Sequence, residues 1–281
     1  MYQSLKGVII LLFTLLISSV SIAQKSKPDH KKIYKVNYKS EIPITIGLFA
    51  LNYYGFQVLE RKGTLDSLQI VSLDKNDVWA FDRNALTQGT SQRFDAEKIS
   101  DVGMNLSLLL PALLALDSEI RHDWLDLLVL YLETQAINTT VYAYGGPMLT
   151  NRIRPFVYYD EIPLDEKTGT GTTDSFFSGH TSTTAAASFF AAKVYSDYHP
   201  ELGNKKYFIF AAALIPPAIV GYNRYRALKH FPTDVMTGTV IGAATGILVP
   251  HLHKIVKRKH ENLSVMPYTG KYSGIAVSLK F

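Results

Sequence analysis

The sequence predicts an all-α protein: a helical bundle followed by a short C-terminal β-hairpin. Apolar residues recur at helical spacing through most of the segment 101–255. Near the carboxyl end, Ile275, Val277, Leu279 and Phe281 alternate with other residues, as they would in a strand. The chain has 281 residues and no cysteine, so one substantial core without disulfides must hold the bundle together.

Residues 1–23 are predicted to be a secretory signal peptide. Lys6 gives a charged start, residues 8–17 are apolar, and Ser21-Ile22-Ala23 has the small-x-small pattern of a cleavage site. An uncleaved membrane anchor is the alternative. In either case the chain enters the export pathway of a cell envelope.

Residues 24–100 are predicted to form a polar lead-in and a helical extension. Within this region, 43–58 is an apolar helix that Asn52 and Gln57 interrupt. The composition then turns polar, which predicts a connecting segment with short helices.

Residues 101–255 are predicted to be the main helical domain, and 256–281 the hairpin tail. A loop at 145–177 is rich in Gly, Pro and Thr, and loops of that length inside a domain are usually functional. Four-residue glycine spacing in the last helix favours close approach of another helix. The predicted helices are 106–116, 124–141, 180–197, 207–222 and 233–253.

The charge pattern excludes one class of partner. The net charge is +5, and the basic residues form only small clusters, at Lys205-Lys206 and at 254–259. A nucleic-acid interface needs a larger basic stripe, so we expect no nucleic-acid binding. We also expect no metal and no other cofactor, because the histidines outside the motifs described below lack ligand spacing. These are His122, His199, His251 and His253.

The most informative motif precedes the last predicted helix. Arg224 is followed after five residues by His230 and after three more by Asp234. Pro232 suits the first turn of a helix, which places His230 at the helix entry. We expect Asp234 to hydrogen-bond one imidazole nitrogen and leave the other free to attack phosphorus. A His–Asp pair that only caps the helix is the alternative.

A second histidine opens the alanine-rich helix. Ser178 is a suitable N-cap, and Gly179 lets the backbone approach an anion. His180 is expected to protonate the leaving oxygen and then to activate water. Arg154 and Arg224 are the predicted phosphate contacts, because guanidinium groups match phosphate geometry. An ordinary helix start is the alternative for the Ser-Gly-His sequence.

The order and spacing of these residues resemble the type-2 phosphatidic acid phosphatase family, which shares its site with vanadium haloperoxidases. The family motifs are Lys-x6-Arg-Pro, Pro-Ser-Gly-His and Ser-Arg-x5-His-x3-Asp. Here the second has Phe177 for proline and the third has Asn223 for serine. The first keeps Arg154 but has Pro147 where the family has lysine. The resemblance covers roughly residues 100–255 and implies the helical fold of that family.

The missing lysine removes one cation that the family uses to bind phosphate. Arg152 is the first candidate to replace it, and Lys167 and Lys229 are weaker candidates. A solvated surface charge is the alternative for Arg152. Impaired activity or a changed substrate is therefore open.

The resemblance implies a metal-independent phosphatase that cleaves a phosphomonoester or pyrophosphate, on a lipid, through a phosphohistidine. Two alternatives remain open: a vanadate-dependent haloperoxidase, and a non-catalytic envelope protein that binds phosphorylated lipid. Loss of the lysine favours the non-catalytic protein, whereas the two histidines and Asp234 favour the enzyme. The sequence indicates neither the particular substrate nor the oligomeric state.

The apolar segments predict an association with the inner membrane. They run to roughly 12–18 residues, whereas a span needs about 20, so short spans and buried helices both fit. Both site loops must lie on one side. After a cleaved signal peptide, a site facing the periplasm requires that 43–58 does not span. A fully soluble periplasmic protein is the alternative.

Overall fold

The computed structural model describes residues 32–268 and 274–279, with side chains described for 32–254. The predicted signal peptide lies outside the described residues. Long α-helices dominate the described part. They are α1 Tyr38–Glu60, α2 Ser67–Val71, α3 Arg93–Ser107, α4 Trp124–Gly145, α5 Leu164–Lys167, α6 Gly179–Tyr198, α7 Lys206–Ala213, α8 Ile215–Arg226 and α9 Pro232–Asn262.

Short 3-10 helices and one strand pair complete the described elements. The 3-10 helices are Lys75–Asp77, Arg83–Leu86, Leu110–Leu116, Ile120–Asp123, Pro155–Tyr158 and Pro200–Lys205. The strands β1 (Leu263–Tyr268) and β2 (Gly274–Leu279) run antiparallel, with Leu263 opposite Leu279.

The predicted fold class is corrected at the carboxyl end, where the helical part extends further than predicted. Helix α9 continues to Asn262, so 256–262 is helical where the tail was predicted to leave the helix. The lysine, arginine and glutamate there are good helix formers. In the described residues β1 and β2 pair only with each other, and the fold that positions the site is helical alone.

Helix α6 lies at the centre of the bundle and packs against α9, α8, α4 and α3. Its contact with α9 is unusually close, because glycines face its backbone. A Cβ on Gly242 would lie 2.1 Å from the Ser182 carbonyl oxygen, and one on Gly246 would lie 2.6 Å from that of Ala186. The predicted close helix approach is thereby confirmed.

The largest apolar cluster joins α4 to α6. Leu130 and Tyr131 of α4 pack with Phe190 and Val194 of α6, and all four are buried. Each such side chain contributes about 1.5–3 kcal/mol by leaving water. This core fixes the helices whose ends form the site described below.

Prolines account for two further differences from the predicted elements. Pro111 lies near the start of the 3-10 segment Leu110–Leu116, which replaces the predicted α-helix at 106–116. Pro216-Pro217 lies at the start of α8, so the predicted helix at 207–222 is divided into α7 and α8 at Leu214.

Within the described residues, three helical segments are long and apolar enough to cross a membrane by length and composition. They are Tyr38–Glu60, Arg93–Leu116 and Pro232–Lys254. Many of their large apolar side chains are exposed, among them Tyr54, Leu106 and Val240. Helix α1 is thus a candidate span. The predicted periplasmic site, in contrast, requires that residues 43–58 do not span the membrane.

Candidate functional site

The two motif histidines begin neighbouring helices at one end of the bundle. His180 is the second residue of α6, and His230 lies two residues before α9. A backbone hydrogen bond of 3.0 Å from the Ser178 amide to the Asp234 carbonyl joins the two helix starts. Both imidazoles are buried, with 4% and 2% of their surface exposed.

His230 is held through one ring nitrogen. Its Nδ1 donates a hydrogen bond of 2.7 Å to the Ser175 carbonyl oxygen. The proton therefore sits on Nδ1, and Nε2 keeps its lone pair. An imidazole in this state can act as a nucleophile.

Asp234 does not orient His230 directly, which corrects the sequence prediction. The His230 Nδ1 and the nearer Asp234 oxygen are 3.9 Å apart. Asp234 Oδ2 instead accepts hydrogen bonds from the Ser175 hydroxyl (2.6 Å) and the Phe231 amide (2.8 Å). The carboxylate therefore fixes Ser175, and the Ser175 carbonyl fixes the imidazole.

Arg152 lies against two carboxylates, and its role as a phosphate contact stays a prediction. One guanidinium nitrogen is 2.5 Å from Asp234 and the other is 2.5 Å from Asp82. Both carboxylates are fully buried. Removing Arg152 would leave two buried carboxylates unpaired, so its ion pairs with Asp82 and Asp234 stabilise the fold.

Arg154 is held by backbone carbonyls. Its Nε donates to Gly171 (2.7 Å), Nη1 to Lys229 (3.2 Å) and Nη2 to Asp174 (3.1 Å). Carbonyl oxygens orient a guanidinium group without cancelling its charge. Arg154 therefore adds a fixed positive charge beside the histidines.

Arg224 and His180 share one carboxylate oxygen. The Oδ1 atom of Asp101 lies 2.7 Å from His180 Nε2 and 3.3 Å from Arg224 Nη1. The Arg224 side chain is buried, and its Nε has no hydrogen-bond partner among the described residues. The Asp101 side chain is 40% exposed, so this carboxylate is the part of the group that reaches solvent.

The residues before His180 serve the helix start. The Ser178 hydroxyl accepts a hydrogen bond from the Thr181 amide at 3.4 Å, which is the predicted N-cap interaction. A Cβ on Gly179 would lie 2.8 Å from the Tyr142 ring, so glycine is needed there for packing. Neither observation places an anion at this turn.

Lys229, one of the weaker candidates to replace the missing lysine, directly precedes His230. Its ammonium group is 3.0 Å from Glu97 and lies over the Phe156 ring. Burial lowers the pKa of Lys229, and the nearby charges of Arg154 and Arg224 lower it further. Lys229 therefore adds a third positive charge that interacts with those of the two arginines, whereas Pro147 is buried and offers no charge.

The electrostatics of the pocket favour an anion. Burial, followed by the charge of Arg224, lowers the pKa of His180 to about 4. Burial and then the charges of Arg154 and Arg224 hold the pKa of His230 well below its usual value. Burial and Arg154 lower the pKa of Arg224 to about 10. A bound anion would reduce this mutual repulsion.

The sequence analysis missed four acidic or polar residues of the site: Asp82, Glu97, Asp101 and Ser175. Glu97 and Asp101 are one turn apart on α3, and that spacing is the only signal in the sequence that could have marked them. Asp82 and Ser175 lie in irregular segments without a pattern.

A second lysine ties the site loop to the N-terminal helix. Lys62, just after α1, donates to the carbonyls of Pro147 (2.7 Å) and Thr150 (2.6 Å). It also forms an ion pair of 2.8 Å with Asp174. This side chain joins both flanks of the loop that carries Arg154.

Comparisons with known proteins gave one family match and one similar structure. The family model described as "PAP2 superfamily" matches residues 123–258. No curated protein matches the chain. A crystal structure of a transmembrane PAP2 type phosphatidylglycerolphosphate phosphatase from Bacillus subtilis is similar. It is 20% identical, with a TM-score of 0.44, over 76% of this chain and 98% of that chain.

The matched segment contains four of the residues that meet in the pocket. These are Arg154, His180, Arg224 and His230. Asp101 and Glu97, which face them, lie outside it. The match to the PAP2 superfamily thus covers residues 123–258 of this chain and all four of these residues.

Proposed function

We propose that this protein is a metal-independent phosphatase that removes phosphate from a phosphomonoester or pyrophosphate on a lipid. The observation that carries the proposal is the meeting of two buried imidazoles and two buried guanidinium groups at the starts of α6 and α9. The match to the superfamily supports phosphatase activity in general. The lipid substrate fits a membrane protein with exposed apolar helices.

The first step transfers the phosphoryl group to His230. The Nε2 lone pair attacks phosphorus, and the bond from phosphorus to the leaving oxygen breaks. His180 gives its proton to that oxygen, so the alcohol or phosphate leaves without a full negative charge. Arg154, Arg224 and Lys229 stabilise the charge on the phosphoryl oxygens.

The second step returns the enzyme to its starting state. His180, now neutral, takes a proton from a water molecule, whose oxygen attacks the phosphohistidine. The N–P bond breaks, and inorganic phosphate leaves with His230 restored. Asp234 contributes through Ser175, which keeps the imidazole in one orientation during both steps.

The Asp101 side chain must move away when the substrate binds. It occupies the hydrogen bond of His180 Nε2 and one contact of Arg224, the two groups that the phosphate ester needs. Because the Asp101 side chain is partly exposed, it can rotate towards solvent when the phosphate enters.

The test uses the full-length protein in detergent and measures phosphate release from phosphatidate, a prenyl pyrophosphate and a soluble aryl phosphate, with and without chelator. We expect chelator-resistant release that falls at least about a thousandfold in His230→Ala. His251→Ala changes an exposed histidine of the same helix and should retain activity.

Two outcomes would contradict the proposal. Unchanged release by His230→Ala from every substrate would remove the phosphohistidine mechanism. Phosphate binding without release from any substrate by the unaltered protein would favour the non-catalytic lipid-binding alternative.

A further inference from the structure

We infer that Glu41, Glu133 and His253 form a divalent-cation site at the end of the bundle opposite the histidine pocket. The three side chains come from α1, α4 and α9. His253 lies 23 residues beyond His230 along the same helix, which is about 35 Å at 1.5 Å per residue. This site does not depend on the proposed phosphatase activity.

The three candidate ligand atoms lie at distances that suit a small cation. His253 Nε2 is 3.5 Å from Glu41 Oε2 and 3.3 Å from Glu133 Oε2. All three atoms lie within 4.8 Å of one another. Tetrahedral zinc with bonds of about 2.0–2.1 Å separates its ligand atoms by about 3.3–3.4 Å. The distances of His253 Nε2 from the two glutamate oxygens are close to this value.

The second nitrogen of His253 is arranged as in known metal ligands. Its Nδ1 donates a hydrogen bond of 2.9 Å to the Val249 carbonyl oxygen. That bond fixes the proton on Nδ1 and leaves the Nε2 lone pair directed at the two glutamates. Metal-binding histidines commonly use their other N–H in this way.

The two carboxylate oxygens lack any other partner. Glu41 Oε2 and Glu133 Oε2 are inaccessible to solvent and accept no hydrogen bond from the described residues. The other Glu41 oxygen accepts a 2.8 Å bond from the Asn37 amide, which fixes that side chain. Buried acceptors that face each other without a donor are costly, and a cation between them removes the cost.

Neighbouring lysines do not supply this charge. Lys254 follows His253 directly, but its ammonium group is 3.0 Å from Asp197. Lys193 also pairs with Asp197. The site instead offers two carboxylate groups, which suit a divalent ion.

The ligand set favours zinc. One imidazole nitrogen and two carboxylate oxygens suit Zn²⁺, and three protein ligands leave the fourth position to water. The three side chains are 12–16% exposed, so an ion has access from solvent. A bound ion would tie α1 to α4 and α9 and so stabilise the bundle.

The test measures Zn²⁺ binding and thermal unfolding with the full-length, tag-free protein after treatment with chelator. We expect one equivalent of Zn²⁺ to bind and to raise the Tm. His253→Ala should weaken binding at least about tenfold. His251→Ala is the matched control, because it removes an exposed histidine two residues away and should bind as the unaltered protein does.

A second variant and an absorption spectrum distinguish loss of a metal ligand from misfolding of the His253→Ala protein. Glu133→Gln keeps the size of the side chain, removes one anionic ligand and should also weaken binding. Co²⁺ in place of Zn²⁺ should give the visible absorption of a tetrahedral site, lost in Glu133→Gln. Equal Zn²⁺ affinity in the unaltered protein and both variants, or a His253 that binds a proton on Nε2 and no Zn²⁺, would overturn the inference.

Discussion

His180 and His230 differ in which ring nitrogen the protein holds, and the difference assigns their proposed roles. His230 is anchored through Nδ1, which leaves Nε2 free to attack. His180 presents Nε2 to the Asp101 carboxylate, where a proton can be kept until a leaving oxygen replaces that carboxylate. One residue is thus suited to nucleophilic attack and the other to proton transfer.

The pKa values of the two histidines predict how activity depends on pH. We expect kcat/KM for a soluble phosphate monoester to hold or rise as the pH falls from 7 to about 5. The pKa of His230 is held well below its usual value by burial and by the charges of Arg154 and Arg224, so the nucleophile resists protonation as the pH falls. The pKa of His180 is lowered to about 4, so it is neutral in this range.

The proton that neutral His180 needs in order to act as an acid comes with the substrate. A phosphate monoester takes up a proton near pH 6, and the monoanion can pass that proton to His180 on binding. The measurement is kcat/KM against pH for the full-length protein. A loss of half the activity near pH 6.5 on the acid side would show that His230 has an ordinary pKa and would contradict this account.

Single site residues could be predicted from the sequence where they lie close together along the chain. The separation of Arg224, His230 and Asp234 follows from a turn and the first turn of a helix, so the motif could be placed at a helix entry. The ion pair of Arg152 with Asp82 could not be predicted, because the sequence does not show that the two residues lie side by side. Ser175 was missed for the same reason, since it acts through a backbone carbonyl.

At the scale of elements, the close contact of α6 and α9 sets the distance between the two histidines. Gly242→Ala is expected to lower the Tm by several degrees, because its Cβ would lie 2.1 Å from the Ser182 carbonyl oxygen. Backbone atoms cannot rotate away, so the helices must separate, at a cost of about 1–3 kcal/mol. Phosphate release should fall as well.

A glycine without neighbours provides the comparison. Gly47 in α1 has open space around its Cβ position, and alanine has the higher helix propensity. Gly47→Ala should therefore keep or slightly raise the Tm and leave phosphate release unchanged. Equal unfolding temperatures for Gly242→Ala and the unaltered protein would show that the contact is looser than described.

The helices themselves were predictable to different degrees. The alanine-rich α6 was predicted at 180–197 and observed at Gly179–Tyr198, because its N-cap and apolar pattern agree. The segments around Pro111 and Pro216 were not predicted well. Proline permits a helix start yet interrupts a helix interior, and apolar periodicity does not distinguish the two.

At the scale of the molecule, the site lies at one end of helices that are apolar enough to cross a membrane. The sequence predicts that this end faces the periplasm, which after a cleaved signal peptide requires that α1 does not cross the membrane. The chain has no cysteine, so single cysteines can report the two ends. Asp165→Cys marks the loop near the site, and Glu201→Cys marks the turn after the far end of α6; both positions are exposed.

A thiol reagent that cannot cross membranes should label Asp165→Cys from the periplasmic side and leave Glu201→Cys unlabelled until the membrane is opened. The reverse pattern would place the site in the cytoplasm. Labelling of both from outside, in a protein recovered without membranes, would favour the soluble periplasmic alternative.

The anchoring of the site loop by Lys62 has a practical consequence for anyone who dissects this protein. A fragment trimmed to residues 123–258 would lack both Lys62 and Asp82, so Asp174 would lose its lysine partner and Arg152 would keep only Asp234. Such a fragment should be a poor surrogate, and chimaeras built from related sequences need to exchange the N-terminal helix and the loop as one piece.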